Sequence, residues 1–502
     1  MFTRKYLELA AELGLALRES PSPSILSPKR TSESAVAQLW MKQPWAPHPV
    51  RDVQGRLVWI VSPGWMRGGG GPDFTGASFK LADGQLIKGD VEIHVRSSDW
   101  KRHGHHVDPA YAGVRLHVVL ECDVSQARLT CQGDAPLELE LKSAFPAWRD
   151  ALRLDAEADP SKVSGPPETG ACAPHFARIG RQDTMDLLDA AGEGRLILKS
   201  EKLARELAAS SADETLYRGL MEVFGYSRFR FLFRKLADSL PLETLRPMVA
   251  DMDRRTRPAA LQAVLLGMAG LAPAMGKAMD DETEIYLSQT HDAWRRLQEA
   301  FALSPILSRS EWKLNGTRPA NYPMGRLAGM SYFLAANLEG NLETLFARVL
   351  WEFPVDAPAN EKQKWLDKIS GLFSPTSTAD YWQYRHVIGG ARLARPRALA
   401  GADRVALFVI NVAIPFFLAR AAGNGDRAGE RKLRAIAHAI PRPEANAFTK
   451  YMAQRLFSGK APRGMMDAVR DQGLLQLYAD FCLMDPGGCQ GCAMADYLAR
   501  RR

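Results

Sequence analysis

The chain has 502 residues, of which 46% are hydrophobic and 24% are charged, a balance that excludes a disordered or fibrous protein. The net charge of +8 is compatible with a nucleic-acid partner, although the excess of basic residues is spread thinly along the chain. Six cysteines in so long a chain exclude a scaffold built on disulfides.

Residues 1–31 are predicted to form an amphipathic helix followed by a linker rich in Ser and Pro. Two basic residues near the start resemble a signal peptide, but Glu8 and Glu12 interrupt the apolar run and no small-residue cleavage site follows. We therefore expect a cytoplasmic protein. The longest apolar run, Val405–Ala419, is too short for a membrane span, which needs about 20 residues, and we expect no membrane association.

Residues 32–150 are predicted to form a small mixed α/β domain. Glu33–Lys42 has one apolar side and is typical of a helix, and a short helical segment is predicted at Asp108–Tyr111. Four segments bounded by Gly, Pro or Asp are predicted strands: Gly55–Ser62, Phe74–Leu81, Lys88–Val95 and Val114–Cys122. The predicted order is therefore α-β-β-β-α-β.

A linker over residues 151–171 is predicted to lead into a large all-helical domain, residues 172–502. Apolar residues recur there at helical spacing in Leu187–Ala209, Leu216–Leu240, Glu282–Ala302, Gly325–Phe346 and Arg404–Ala422. The predicted fold class of the whole chain is α+β.

Acidic side chains and one imidazole are concentrated on the third predicted strand. Because side chains alternate along a strand, Asp90, Glu92 and His94 are expected to share one face. Asp73 precedes Glu92 by 19 residues, so a hairpin would bring these two carboxylates together. Neighbouring carboxylates repel unless a cation or proton lies between them, and oxygen ligands suit Mg²⁺ or Mn²⁺. A polar strand face with paired charges is the alternative interpretation.

The histidines continue beyond this strand, since five of the ten in the chain lie within the 24 residues from His94 to His117. The run that contains His103, His105 and His106 could bind Zn²⁺ or a second catalytic metal, or it could contact phosphates. Solvated loop histidines before a short helix are the alternative. His117 lies in an apolar strand and is expected to be a buried sheet residue rather than a ligand.

Asp73, preceded by proline, and the Glu92 to His94 segment resemble the motif of the PD-(D/E)xK nuclease superfamily, with His94 where that family has Lys. The predicted order of elements also resembles the core of that superfamily, and Glu33 matches the acidic residue of its first helix. The resemblance implies that Asp73 and Glu92 hold a divalent cation and that His94 orients or deprotonates the attacking water. An imidazole is shorter than a Lys side chain, so His94 could instead be a metal ligand or mark an enzyme that has lost activity.

Three cysteines near the C-terminus, Cys482, Cys489 and Cys492, are predicted metal ligands, because such spacing in a cytosolic protein is more typical of metal binding than of disulfides. Cys172, just after the linker, is the predicted fourth ligand. The layout resembles the iron–sulfur cluster of some PD-(D/E)xK nucleases, so Zn²⁺ or an iron–sulfur cluster is expected there. Buried free thiols are the alternative.

Two segments of the helical domain carry arginines that could contact a nucleic acid. Arg228 and Arg230 alternate with phenylalanines, as in segments that stack on bases, and Arg318 and Arg326 lie in and after a Pro- and Asn-rich loop. The alternatives are an amphipathic helix that buries its phenylalanines and arginines that pair with buried carboxylates.

Over nearly the whole chain the sequence is similar to a bacterial family of unknown function, the domain family numbered 2851. The segments that carry this similarity are Gly71–Phe74, Gly89–His94, Asp99–His105, Leu116–Val119, Gly225–Ser227, Arg318–Pro323 and the terminal cysteines. The family itself implies no activity. From the residues we expect a metal-dependent, nuclease-like phosphodiester hydrolase that acts on DNA. The alternatives are an inactive metal-binding protein that recognises nucleic acid or a protein partner, and a Zn hydrolase that uses the His cluster.

Overall fold

The computed structural model describes most of the chain from Glu33 onward. The described residues are 33–43, 45, 48–66, 71–124, 129–146, 148, 169–272, 280–312, 314, 317, 319–375, 380–482 and 492–500. The predicted N-terminal helix, most of the predicted linker, Arg318 and Cys489 lie outside these residues. Within them the α+β fold is confirmed: a mixed sheet near the N-terminus is followed by a long helical region.

The α/β region begins with helix α1 (Glu33–Lys42), as predicted, and its described part contains one seven-stranded mixed sheet. The strands are β1 (Val50–Arg51), β2 (Leu57–Ser62), β3 (Trp65–Met66), β4 (Phe74–Leu81), β5 (Leu86–Arg96), β6 (Val114–Glu121) and β7 (Leu137–Glu140). The short helix α2 (Asp99–Arg102) and a 3₁₀ turn (Pro109–Tyr111) connect β5 to β6. The short helix α3 (Leu141–Ala144) follows β7. The four predicted strands are present, and β1, β3 and β7 are additional.

The sheet order is β1-β2-β4-β5-β6-β7, with β3 paired to β4. Pairing is antiparallel from β1 to β5 and parallel from β5 to β7. The register aligns Glu92 of β5 with His117 of β6, and His117 with Glu138 of β7. Register partners lie side by side on the same face of a sheet, so three adjacent strands present a continuous row of ionisable side chains.

One face of the sheet is covered by α1. Val36, Leu39 and Trp40 of the helix are fully buried, and they belong to one apolar cluster with Val91 and Ile93 of β5. Burial of aliphatic and aromatic side chains of this size contributes about 1.5–3 kcal/mol each. Val91 and Ile93 point to this covered face. Because side chains alternate along a strand, Glu92 and His94 point to the opposite face.

The described chain after Gly170 is helical. Its α-helices are α4 (Ala173–Ala209), α5 (Ala212–Phe224), α6 (Tyr226–Ser239), α7 (Leu242–Val249), α8 (Arg257–Met268), α9 (Asp281–Ala300), α10 (Pro323–Asn337), α11 (Leu342–Trp351), α12 (Ala359–Ser370), α13 (Ala402–Phe408), α14 (Ile414–Gly423), α15 (Arg427–Ala439), α16 (Ala447–Phe457), α17 (Ala468–Leu477) and α18 (Ala493–Arg500). Short 3₁₀ turns lie at Arg309–Trp312, Pro319–Asn321, Gly371–Phe373 and Tyr381–Gln383, and π turns at Val409–Ala413 and Tyr478–Cys482.

Two predicted helices are each divided into two in the structure. The segment predicted as Leu216–Leu240 is α5 and α6, which meet at Gly225, where an added Cβ would lie 2.5 Å from the Cα of Arg230. The segment predicted as Gly325–Phe346 is α10 and α11, because Asn341 caps α11 by accepting a hydrogen bond from the N–H of Thr344. Apolar periodicity continues through both breaks and therefore did not reveal them.

The apolar segment Val405–Ala419 lies in a continuous helix from Ala402 to Gly423, in which the π turn joins α13 to α14. By length and composition this helix could cross a membrane, but 72% of its most apolar stretch is buried inside the protein. Its side chains belong to the largest apolar cluster of the helical region, and this is the environment of a core helix.

Candidate metal centre

Two carboxylates are tied together where β4 begins beside β5. The backbone N–H of Asp73 donates to Glu92 Oε2 at 3.1 Å, and the N–H of Ile93 donates to Asp73 Oδ2 at 3.0 Å. These reciprocal bonds follow from the antiparallel pairing of Phe74 with Val91. The hairpin predicted from the sequence therefore does bring Asp73 alongside Glu92.

The environment of these carboxylates favours a proton or cation between them. Burial, together with repulsion from Glu92, raises the pKa of the Asp73 carboxyl to about 7. Partial burial also raises the pKa of Glu33, at the start of α1, and His103 and Glu92 are among the groups that influence it. Glu33, predicted as the acidic residue of the first helix, therefore lies near enough to this site for its charges to act on the Glu33 carboxyl, and a catalytic role for it stays a prediction.

Three imidazoles converge beside Glu92, the second of these carboxylates. His94 Nε2 lies 3.1 Å from His103 Nδ1 and 3.2 Å from His105 Nε2. Glu92 Oε1 lies 3.1 Å from His105 Nε2 and 3.7 Å from His94 Nε2. Glu92, His94 and His105 are buried, whereas His103 is exposed, so the cluster reaches the surface through His103.

The loop after β5 turns its two contributing histidines back toward the strand. His103 ends α2, where its N–H donates to the carbonyl of Asp99, and the N–H of His105 donates to the carbonyl of Trp100. Gly104 between them has φ 79°, a left-handed conformation that favours glycine. The carboxylate of Asp99 accepts from the N–H of Arg96 and so fixes the loop to the end of β5.

A second line of contacts lies beneath the cluster. His94 Nδ1 lies 2.8 Å from His117 Nε2, and His117 Nδ1 faces Glu138 Oε1 at 3.3 Å. Burial, reinforced by the neighbouring imidazoles, lowers the pKa of His94 to about 2, so its ring is neutral. A neutral imidazole with one nitrogen held by a hydrogen bond presents its other nitrogen as a ligand or acceptor.

Two aromatic residues border the histidines. The ring of Tyr111 lies 3.8 Å from that of His105, centroid to centroid, and Trp100, which is fully buried, contacts the rings of His105 and His117. Burial, reinforced by the charge of Glu92, raises the pKa of the Tyr111 hydroxyl. The phenol therefore stays protonated beside the cluster.

Of the residues predicted for this site, the structure brings together Asp73, Glu92, His94, His103 and His105, with Glu33 nearby. Asp90 is directed elsewhere, because its carboxylate accepts from the N–H of Gly76, and the register shifts between Asp90 and Val91. His106 is not among the described groups whose ligand atoms lie within 4.8 Å of one another. In the described structure neither residue joins the cluster, and the sites proposed below therefore do not include them.

Sequence reasoning expected His117 to be a buried sheet residue, and it is fully buried. Its contact with His94 was not anticipated, nor was the proximity of Glu138 or Tyr111. The segment Leu137–Glu140 is too short for its sequence pattern to indicate a strand. The available signal for His117 was its position as the fourth residue of an apolar strand, next in the chain to another strand that carries a histidine.

Arginines predicted to bind nucleic acid have mainly internal contacts in the described structure. Arg326 is 6% exposed and donates to the carbonyl of Phe224 and to Asn321 Oδ1. Arg230 pairs with Glu222, whereas Arg228 is exposed. Burial disfavours phosphate contact by Arg326, and nucleic-acid binding by Arg228 and Arg230 stays a prediction.

The described cysteines of the predicted C-terminal metal site share one apolar cluster of the helical region. Cys172 is buried, Cys482 and Cys492 are half-buried, and Cys482 Sγ lies 3.9 Å from the sulfur of Met452. Cys489 is outside the described residues. A Zn²⁺ ion or an iron–sulfur cluster at these cysteines stays a prediction.

Comparison with known proteins gives one family and no individual relative. No curated protein matches the chain, and no solved structure matches it. The family described as "Protein of unknown function (DUF2851)" matches residues 33–447, which include the described sheet, the cluster of carboxylates and imidazoles, and most of the helical region. Because this match covers more than half of the sequence, the chain belongs to the DUF2851 family.

Proposed function

We propose that this protein is a metal-dependent hydrolase that cleaves phosphodiester bonds in DNA. The observation that carries the proposal is the convergence of Asp73 and Glu92 with the imidazoles of His94, His103 and His105 at one point of the sheet. Carboxylate oxygens and imidazole nitrogens are the donor atoms that divalent metals bind in hydrolytic enzymes.

The donor set fits a divalent cation, because two adjacent carboxylates with a raised Asp73 pKa need a positive charge or a proton. Glu92 and the imidazoles would hold the ion, which lowers the pKa of bound water and offsets charge on a phosphate. Asp73 lies beside Glu92 and would accept the proton of the attacking water. His94 is 1% exposed and has both ring nitrogens directed at other imidazoles, so it would orient the cluster rather than contact the substrate.

The resemblance to the PD-(D/E)xK superfamily supports DNA as the substrate. That resemblance rests on Asp73 before one strand, Glu92 and His94 on the next, and an order of elements that contains α-β-β-β-α-β. The described chain contains α1-β2-β4-β5, a short helix and β6 in this order, with the short strands β1, β3 and β7 added. The positive net charge of the chain also favours a polyanionic substrate.

The test is cleavage of linear, circular and single-stranded DNA by metal-free protein supplied with Mg²⁺, Mn²⁺ or Zn²⁺. Glu92→Gln removes the central carboxylate, and we expect it to lower the cleavage rate by about 100-fold or more. Asp90→Asn is the matched control, because Asp90 lies two residues away on the same strand and contacts Gly76 instead. Cleavage that is equal in wild type and Glu92→Gln, or absent from all three proteins, would refute the proposal.

The three imidazoles favour a second candidate, a Zn hydrolase for another phosphate ester or an amide. This candidate predicts zinc-dependent turnover of aryl phosphates or amides that is lost in Glu92→Gln, with no cut in any DNA. If metal binds and no substrate is turned over, both hydrolase candidates fail and metal binding without catalysis is what remains.

A further inference from the structure

The spacing of the three imidazole nitrogens matches the geometry of a metal site. In a tetrahedral zinc site with Zn–N distances of about 2.0–2.1 Å, two ligand nitrogens lie about 3.3 Å apart. His94 Nε2 lies 3.1 Å from His103 Nδ1 and 3.2 Å from His105 Nε2, and all three ligand atoms lie within 4.8 Å of one another. Small movements of the exposed His103 would place all three nitrogens around one ion.

The contacts behind His94 fix which of its nitrogens is available. Glu138 Oε1 lies 3.3 Å from His117 Nδ1, a charge contact whose angles fall short of a hydrogen bond, and a carboxylate oxygen this close to an imidazole nitrogen favours a proton on that nitrogen. His117 Nε2 is then an acceptor, and His94 Nδ1 donates to it at 2.8 Å. The lone pair of His94 Nε2 therefore points into the cluster. Carboxylate–histidine chains of this kind orient metal-binding imidazoles and raise their basicity.

We propose that His94 Nε2, His103 Nδ1 and His105 Nε2 form a binding site for Zn²⁺, in which His117 and Glu138 act as positioning residues. Glu92 Oε1, 3.1 Å from His105 Nε2, lies beside these nitrogens and would add a carboxylate oxygen to the donor set. A catalytic role for this ion depends on the hydrolase activity proposed above. Its binding follows from the geometry alone.

The donor set also determines which ion is preferred. Nitrogen ligands favour Zn²⁺ and neighbouring transition metals, whereas Mg²⁺ requires oxygen ligands and retains most of its water. Asp73 and Glu92 alone would suit Mg²⁺, but three imidazole nitrogens around the same point favour Zn²⁺. A measured preference for Zn²⁺ over Mg²⁺ would therefore distinguish a zinc site built on the histidines from a magnesium site built on the two carboxylates.

The experiment measures zinc bound by full-length protein that has been stripped with a chelator and then titrated with Zn²⁺, Co²⁺ or Mg²⁺. Since the cysteines could also bind zinc, the quantity of interest is the difference between variants. We expect His103→Ala and His105→Ala to bind one equivalent less zinc than His106→Ala, or to bind it at least 100-fold more weakly. His106→Ala is the matched control because it removes a histidine from the same loop outside the cluster.

Cobalt reports the geometry directly, because tetrahedral Co²⁺ absorbs visible light far more strongly than hydrated Co²⁺. We expect Glu138→Gln to weaken zinc binding by about 10-fold and to shift the cobalt spectrum, while His106→Ala leaves both unchanged. A role of Glu138 in folding alone would change neither the spectrum nor the affinity of the folded protein. If His105→Ala fails to fold, His103→Ala still tests the site, because His103 is exposed.

Equal zinc binding by His103→Ala, His106→Ala and wild type would overturn the proposal, as would tighter binding of Mg²⁺ than of Zn²⁺. Failure of this inference is distinguishable from failure of the proposed function. If zinc binds through the histidines but no DNA is cleaved, the proposed nuclease activity is refuted and the proposed zinc site stands. Magnesium-dependent cleavage that is lost in Glu92→Gln, by a protein that binds no zinc through its histidines, refutes the site and leaves the nuclease.

Discussion

Helices α4 and α17 approach so closely that glycine is required at their contact, and replacing it should destabilise the protein. A Cβ added at Gly192 of α4 would lie 2.0 Å from the carbonyl oxygen of Val469 and 2.8 Å from its Cγ1. A Cβ at Gly473 of α17 would lie 2.2 Å from the carbonyl oxygen of Leu188. Both collisions involve backbone atoms of the opposite helix, so no side-chain rotation relieves them.

The expected cost follows from these distances. To bring the Gly192 contact to 3.0 Å, the two helices would have to separate locally by about 1 Å, which loosens the packing of buried Leu188 and Val469. Overpacking of this kind costs about 1–3 kcal/mol, and the backbone collision places Gly192→Ala near the upper end. Alanine regains about 1 kcal/mol through its higher helix propensity. We expect a net loss of about 2 kcal/mol.

Gly423→Ala is the matched control, because Gly423 is the last residue of α14 and nothing lies within 4 Å of its added Cβ. This variant should be as stable as wild type or more stable by about 0.5 kcal/mol. The measurement is urea unfolding followed by far-ultraviolet circular dichroism, with midpoints compared at unchanged slope. If Gly192→Ala unfolds at the same urea concentration as Gly423→Ala, the helices do not pack as described.

Two further predictions concern ion pairs of the helical region. Burial alone would lower the pKa of His438, but the carboxylates of Asp467 and Glu193 outweigh it and raise this pKa to about 9. Because the pKa is higher in the folded state than in the unfolded state, protonated His438 stabilises the fold. This contribution to the free energy of unfolding is complete below about pH 6.5 and is lost as the pH rises through 9. The stability advantage of wild type over His438→Gln should therefore fall by about 2 kcal/mol between pH 6 and pH 10 in urea titrations, and a constant difference would contradict this assignment. Burial opposes ionisation of Glu222, but Arg230 and neighbouring cations hold its pKa well below the usual range. Removing that charge in Glu222→Gln should cost about 3 kcal/mol in the same assay, and a loss under 1 kcal/mol would show that the pair contributes little.

The sequence predicted the elements that carry the two carboxylates, because local patterns determine them. Strands β4 and β5 alternate apolar and polar residues and are joined by a short turn, so their antiparallel pairing is a local hairpin. Asp73 and Glu92 were therefore expected side by side, and the structure places them so. The concentration of histidines was equally visible, since His103 and His105 are separated by a single glycine.

The remaining parts of the site depend on contacts that no local pattern specifies. Glu138 reaches His117 only because the four-residue strand β7 pairs in parallel with β6, at a register set by the packing of the whole sheet. Asp90 leaves the face of Glu92 because the register shifts beside it, and a period of two cannot reveal such an irregularity. Likewise, the helix breaks at Gly225 and Asn341 depend on tertiary contacts and capping that apolar periodicity does not report.

The most direct test of the metal-dependent hydrolase is single-turnover cleavage of circular DNA by metal-stripped protein to which Zn²⁺, Mn²⁺ or Mg²⁺ is returned. Wild type and Asp90→Asn should cut only when a metal is restored, and Glu92→Gln should be slower by about 100-fold or more with every metal. Cleavage by Glu92→Gln at the wild-type rate, or cleavage that persists without metal, would contradict the account.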